Sequence, residues 1–177
     1  MGISTNEEMK KFSLLYVIYK VFHPNAKYEN VRYGYKRTLT GQIWHTIRKW
    51  ICQVLAPNCT THFMRRALYK LCGFKIGKGT FIGMKCYLDD MCVEKMEIGN
   101  DVTISYGVYF ACHGVHQQHN KIVIRDGAYI GMRATIIAPK DIEIGERAII
   151  GAQTLVNKSI PAGKTAVGIP CKILDNN

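Results

Sequence analysis

The sequence predicts an all-β core, a parallel β-helix of about four coils, with a helical and basic segment ahead of it. Three observations predict it. From Ile76 onward an aliphatic or aromatic residue recurs every six positions, in four groups of three. Each break in that period follows the third member of a group. Before the repeat, residues 1–73 carry apolar residues at helical spacing and most of the chain's excess positive charge. A period of six fits neither a helix at 3.6 nor a long amphipathic strand at 2. It fits a short strand and a tight corner, stacked as a solenoid.

The elements follow in order. Residues 7–22 place Phe12, Leu15, Tyr16 and Tyr19 at helical spacing, and His23-Pro24 ends the run because the residue before proline avoids helical angles. Thr40–Val54 forms a second amphipathic candidate with Ile43, Trp44, Ile47, Ile51 and Val54 on one face. Thr61–Leu71 forms a third, carrying Arg65 and Arg66. Residues 1–73 hold twelve Lys/Arg against three acids, +9 of the net +11, and residues 74–177 hold twelve against ten. Two expectations follow for the segment: packing on the end of the β-helix or on a neighbouring subunit, or peripheral contact with a membrane through basic amphipathic helices. Nucleic acid is a poor fit, since no binding motif accompanies the charge.

From residue 74 the recurring positions are Ile76, Ile82, Leu88; Ile98, Ile104, Phe110; Ile124, Ile130, Ile136; and Ile144, Ile150, Val156. Small or β-branched residues such as Thr80, Val102, Ala128 and Ala148 come four positions later, leaving room at the corners. Glycine follows the apolar residue at positions 77, 83, 99, 131, 145 and 151, where it is expected to supply corner angles. The insertions after Leu88, Phe110 and Ile136 add four, eight and two residues to the period. All three therefore stack at one corner, where binding surfaces form on solenoids. Asn157–Ile173 and the N-terminal segment are available to cap the open ends.

At 177 residues and 47% hydrophobic content, the chain fits residues 74–177 as one domain with residues 1–73 as an appendage. No run of 18 apolar residues exists, so no transmembrane helix is expected. The first residues lack a secretory pattern, and Asn6 stands where myristoylation needs Ser or Thr. Seven cysteines without a C-x-x-C pair read as reduced, buried thiols. Together these place the protein in the cytoplasm, with the inner membrane face as the site of any peripheral contact.

Three stretches, Ile98–His113 (IGNDVTISYGVYFACH), Ala128–Ile136 (AYIGMRATI) and Ile144–Ile173 (IGERAIIGAQTLVNKSIPAGKTAVGIPCKI), carry a resemblance. Residues 74–174 resemble the hexapeptide-repeat acyltransferases, specifically the sugar and polysaccharide O-acetyltransferases of the maltose and galactoside type. The resemblance implies a left-handed β-helix, a homotrimer with active sites between subunits, acetyl-CoA as donor, and a sugar or glycan precursor as acceptor. It makes His113 the catalytic base. Transfer from a thioester to a hydroxyl needs one, because a sugar hydroxyl is protonated at neutral pH, and an imidazole of ordinary pKa about 6.5 can take that proton and return it to the leaving thiolate. Asp89 and Asp90 open the insertion one coil below, as candidates to orient His113 or to hold acceptor hydroxyls. His116 is a further candidate for acceptor contact. The oxyanion needs a donor whose identity the sequence leaves open.

The resemblance places Tyr129 where the family often has tryptophan, and sets Met132, Ala152 and Asn157 along the pantetheine arm. Lys158 and Lys172 approach the nucleotide phosphates. Two departures stand out: Gly83 replaces the asparagine of the maltose and galactoside enzymes, and Asp175 replaces a basic residue of some members. His113, His116 and His119 form an H-x2-H-x2-H cluster that invites a zinc reading. The zinc carbonic anhydrases of related fold draw their histidines from different coils, so no metal is expected. Cys112, beside His113, is expected to be a structural thiol rather than a nucleophile. The alternatives are a serine or antibiotic O-acetyltransferase on the same scaffold, a zinc carbonic-anhydrase-like enzyme, or a non-enzymatic scaffold. Serine enzymes resemble their family in a longer helical region, and the antibiotic enzymes in larger insertions.

Overall fold

The computed structural model describes residues 14–25, 27, 39–113 and 119–174. Its contacts divide the chain into Met1–Arg48 and Lys49–Asn177. In the first unit, α1 (Leu14–Phe22) stops just before His23-Pro24, and α2 (Leu39–Trp50) begins beyond it and runs into the second unit. A π-helical turn at Ile51–Leu55 leads to α3 (Ala56–Asn58) and α4 (His62–Leu71). The expected division after residue 73 marks the change from helix to strand, whereas the contacts group the helical residues from Lys49 onward with the β-helix.

The second unit is the β-helix. Sheet A holds β1 (Lys75–Ile76), β3 (Met96–Ile98), β6 (Ile122–Ile124) and β9 (Ile142–Ile144). Sheet B holds β2 (Phe81–Ile82), β4 (Thr103–Ile104), β7 (Tyr129–Ile130), β10 (Ile149–Ile150), β12 (Thr165–Val167) and β13 (Lys172–Leu174). Sheet C holds β5 (Tyr109–Ala111), β8 (Thr135–Ile137) and β11 (Leu155–Val156), with Tyr87 bridged to Tyr109. The coils stack in parallel with the recurring residues opposite one another, as in Ile82↔Ile104↔Ile130↔Ile150. All twelve recurring residues are buried. Ile160, bridged to Ile144, and Ala166, opposite Ile150, extend the stack into a partial fifth turn.

The glycines after the apolar positions serve a different purpose from the one expected. Gly131 does not adopt a positive φ; a Cβ there would lie 2.6 Å from the backbone nitrogen of Ala152 in the next coil. These glycines let one coil approach the next. The left-handed backbone falls two residues later along the corner, at Gly79, Gly107 and Gly127 but also at Asp101, Arg133 and Arg147.

Both ends are capped. In the first coil, Arg65 of α4 donates through Nε to the Ile82 carbonyl at 2.6 Å and through Nη1 to the Cys59 carbonyl. The Tyr69 hydroxyl donates to the Cys86 carbonyl at 3.0 Å. These side chains satisfy carbonyls that no preceding coil can reach. Arg65 is therefore buried and leaves the basic surface on which the sequence put it. At the other end β13 folds back antiparallel on β12.

Candidate active site

All three insertions start along the edge where sheet C passes into sheet A, because each follows a sheet C position. Asp89 opens the first insertion directly after buried Leu88, and His113 lies one coil above, just past β5. Register puts Leu88 beside Phe110, so the two loops leave the prism together. Asp89 Oδ2 lies 2.8 Å from His113 Nδ1 and accepts from the Cys112 amide at 2.9 Å, while Oδ1 accepts from the Met91 amide at 3.1 Å. The carboxylate is fully buried, and the His113 side chain is 35% exposed. An ionised carboxylate can only accept, so Nδ1 carries the proton and Nε2 keeps its lone pair.

Of the two places expected for Asp89, the structure puts its carboxylate against the His113 ring and fully out of solvent. Asp90 is also buried and accepts from Gln53 Nε2 at 2.7 Å. His116 lies outside the described residues. His119 is exposed and bridged through its backbone to His113.

Cys112 is fully buried, and burial with the nearby Asp89 charge pushes its thiol well above the ordinary range. Cys92 was not singled out in the sequence, because an insertion has no period to read. Its buried thiol is pushed up to about 12 by burial first and by Asp89 second. Asp89, Cys92 and His113 bring their ligand atoms within 4.8 Å, the one group among the described residues that could gather on a metal. Within this group the Asp89 carboxylate accepts from two amides and lies against the imidazole.

A second feature depends on register between coils. Tyr87 and Tyr109, each one residue before a stacked core position, lie ring on ring at 4.3 Å with planes 7° apart. They stand on the outer face of sheet C, two residues before Asp89 and four before His113.

The residues expected along the donor do not form one cluster within a single chain. Asn157 and Lys158 are exposed on the same edge as His113, in the last complete coil. Met132 and Ala152 are exposed at the next edge, between sheets B and C, where the Gln153 amide donates to the Met132 carbonyl. Tyr129 stands outward on sheet B with its hydroxyl 3.3 Å from Ser105 Oγ. Lys172 is exposed on β13. A cleft of about 560 Å³ lined by Arg125, Asp126, Glu143 and Ser159 opens mainly at the edge between sheets A and B, away from His113.

No family model matches the chain. A serine acetyltransferase of Mycobacterium tuberculosis is 30% identical over 140 residues, 75% of this chain and 58% of that protein. YvoF of Bacillus subtilis, which carries an acetyltransferase name, is 31% identical over 115 residues, 63% of this chain and 66% of its own length. The bifunctional protein GlmU of Rubrobacter xylanophilus is 36% identical over 108 residues, 58% of this chain and 22% of that one. The chain thus spans from about a fifth to just under two thirds of these curated relatives. Among solved structures, a hexapeptide-repeat acetyltransferase of Vibrio cholerae, complexed with acetyl coenzyme A, superposes with a TM-score of 0.63. It is 20% identical and matches over 77% of this chain and 88% of its own.

Proposed function

We propose that the chain is a hexapeptide-repeat acetyltransferase that moves an acetyl group from acetyl-CoA to a sugar hydroxyl, with His113 as general base. The observation that carries the reading is the 2.8 Å contact between His113 Nδ1 and buried Asp89. Asp89 fixes the ring and its tautomer, so Nε2 faces outward as the acceptor of a proton. Nε2 removes the hydroxyl proton as the new C–O bond forms at the thioester carbonyl. The imidazolium is stabilised by Asp89, which remains ionised. When the C–S bond breaks, Nε2 returns the proton to the departing sulfur. No covalent enzyme intermediate is needed, in keeping with the buried, protonated Cys112.

A ring-shaped acceptor is supported by the Tyr87–Tyr109 stack, since a pyranose offers a face of C–H bonds to an aromatic surface. Serine is the second reading, favoured by the relative from Mycobacterium tuberculosis. We place Met132, Ala152 and Asn157 along the pantetheine arm and Lys158 and Lys172 near the phosphates, in a groove completed by a second copy of a homotrimer. Tyr129 lines that groove.

The test is thiol release from acetyl-CoA with a panel of sugars, serine and aminoglycosides. His113→Ala should lower turnover by about 10²–10⁴ without moving Tm; a fully active variant would end the mechanism. Replacing Lys158 and Lys172 together with alanine should raise the acetyl-CoA KM severalfold and leave kcat at saturating donor nearly intact. An unchanged KM would return both to plain surface charge.

A further inference from the structure

Two helices turn their apolar sides to water. In α1, Leu14, Val17, Ile18, Val21 and Phe22 fall at i, i+3, i+4, i+7 and i+8, a single helical stripe, and each is between 45% and 75% exposed. Tyr16, Tyr19 and Lys20 of the same helix are half-buried instead. In α2 the large apolar side chains Ile43, Trp44, Ile47 and Trp50 are exposed, again along one side, beside exposed Thr40, Thr46 and Lys49. Apolar surface gathered in this way marks a face made for something other than water.

The chemistry around these stripes selects what covers them. Residues 1–50 hold nine Lys/Arg against three acids. Both tryptophans of the chain, Trp44 and Trp50, stand on the α2 stripe, and tryptophan prefers the boundary between headgroups and acyl chains. No described helix is long and apolar enough to cross a membrane. We propose that α1 and α2 lie in the plane of an anionic membrane, their apolar stripes at the acyl boundary and their cations against lipid phosphates. A second copy of the chain would cover the stripes equally well but leaves the excess positive charge facing its own kind.

Flotation of the full-length protein decides the matter. With vesicles of phosphatidylcholine containing about 30% phosphatidylglycerol, at least ten times more protein should float than with phosphatidylcholine alone, and about 0.5 M salt should reverse much of it. Val17→Asp with Val21→Asp should cut flotation at least tenfold, with an unchanged circular dichroism spectrum and unchanged transfer in free solution. Protein that stays at the bottom with anionic vesicles, or floats equally with neutral ones, overturns the proposal. So does a change of molar mass in light scattering caused by the two aspartates, because the stripe would then be a contact between copies.

Discussion

Asp89 is a buried carboxylate surrounded by donors, the amides of Met91 and Cys112 and the imidazole of His113. An asparagine in its place keeps one accepting oxygen. Its amide nitrogen, which cannot accept, is set against either Nδ1–H and the Cys112 amide or the Met91 amide, so the ring or the loop that positions it must move. Asp89→Asn should therefore lower kcat by about 10² or more while leaving the acetyl-CoA KM near its original value. Equal losses in both would reduce Asp89 to a structural role. The neighbouring thiols give an independent check. With a pKa of about 12, Cys92 is roughly one part in 10⁴ thiolate at pH 8, and burial adds to that protection. Iodoacetamide on the native protein should leave Cys92 and Cys112 unmodified by mass spectrometry and reach the half-exposed Cys59 first. His113 and Asp89 were legible because both follow a core position of the repeat. Cys92 was not, since only the folding of the insertion brings it to Asp89.

The elements owe their stacking to what sits between them. At Gly131 a Cβ would meet Gly151 and Ala152 backbone at 2.6 Å, and backbone cannot swing aside as a flexible side chain can. Gly131→Ala should destabilise the domain by about 1–3 kcal/mol, read as a lower urea midpoint, whereas Gly163→Ala meets no atom within 4 Å and strains only its positive φ. Ile130, fully buried in β7, is the stronger test of the coil itself: Ile130→Asp should unfold the domain, and a wild-type midpoint would contradict the assignment. Sheet A adds a pH-dependent increment. Hydrogen bonds from Lys75 and then Lys121 hold the Glu97 carboxyl below its ordinary value. Its contribution is present above the unfolded pKa and lost as pH falls through the folded one. Glu97→Gln should lower Tm slightly at pH 7, and the difference from wild type should shrink as pH falls through the lowered folded pKa. The period and the glycine positions were plain in the sequence. The reason for those glycines was not, because it lies in the distance between coils rather than in any local conformation.

For the molecule as a whole, the outer faces of the prism differ in a way that bears on assembly. Outward positions on sheet A are Lys75, Glu97, Val123 and Glu143, tied together by Lys75–Glu97, Lys121–Glu97 and Arg125–Glu143 pairs. Outward positions on the parallel strands of sheet B are Phe81, Thr103, Tyr129, Ile149 and Thr165, and on sheet C Tyr109, Thr135 and Leu155, none of them charged. A face of ion pairs belongs in water, and two faces uncharged along their parallel strands, with Lys172 only on the terminal strand β13 of sheet B, suit burial against copies of the chain. The proposed trimer should accordingly form through sheets B and C, which also brings the Met132 and Ala152 edge of one protomer toward its neighbour. Ile149→Glu places a charge at the centre of sheet B's outer face. It should yield monomers in light scattering and a large loss of kcat, with the β-helix intact by circular dichroism. Val123→Lys, between Glu97 and Glu143 on sheet A, should stay trimeric and active. A trimeric, active Ile149→Glu protein would mean that the uncharged faces have another use and that the donor groove is built from one chain.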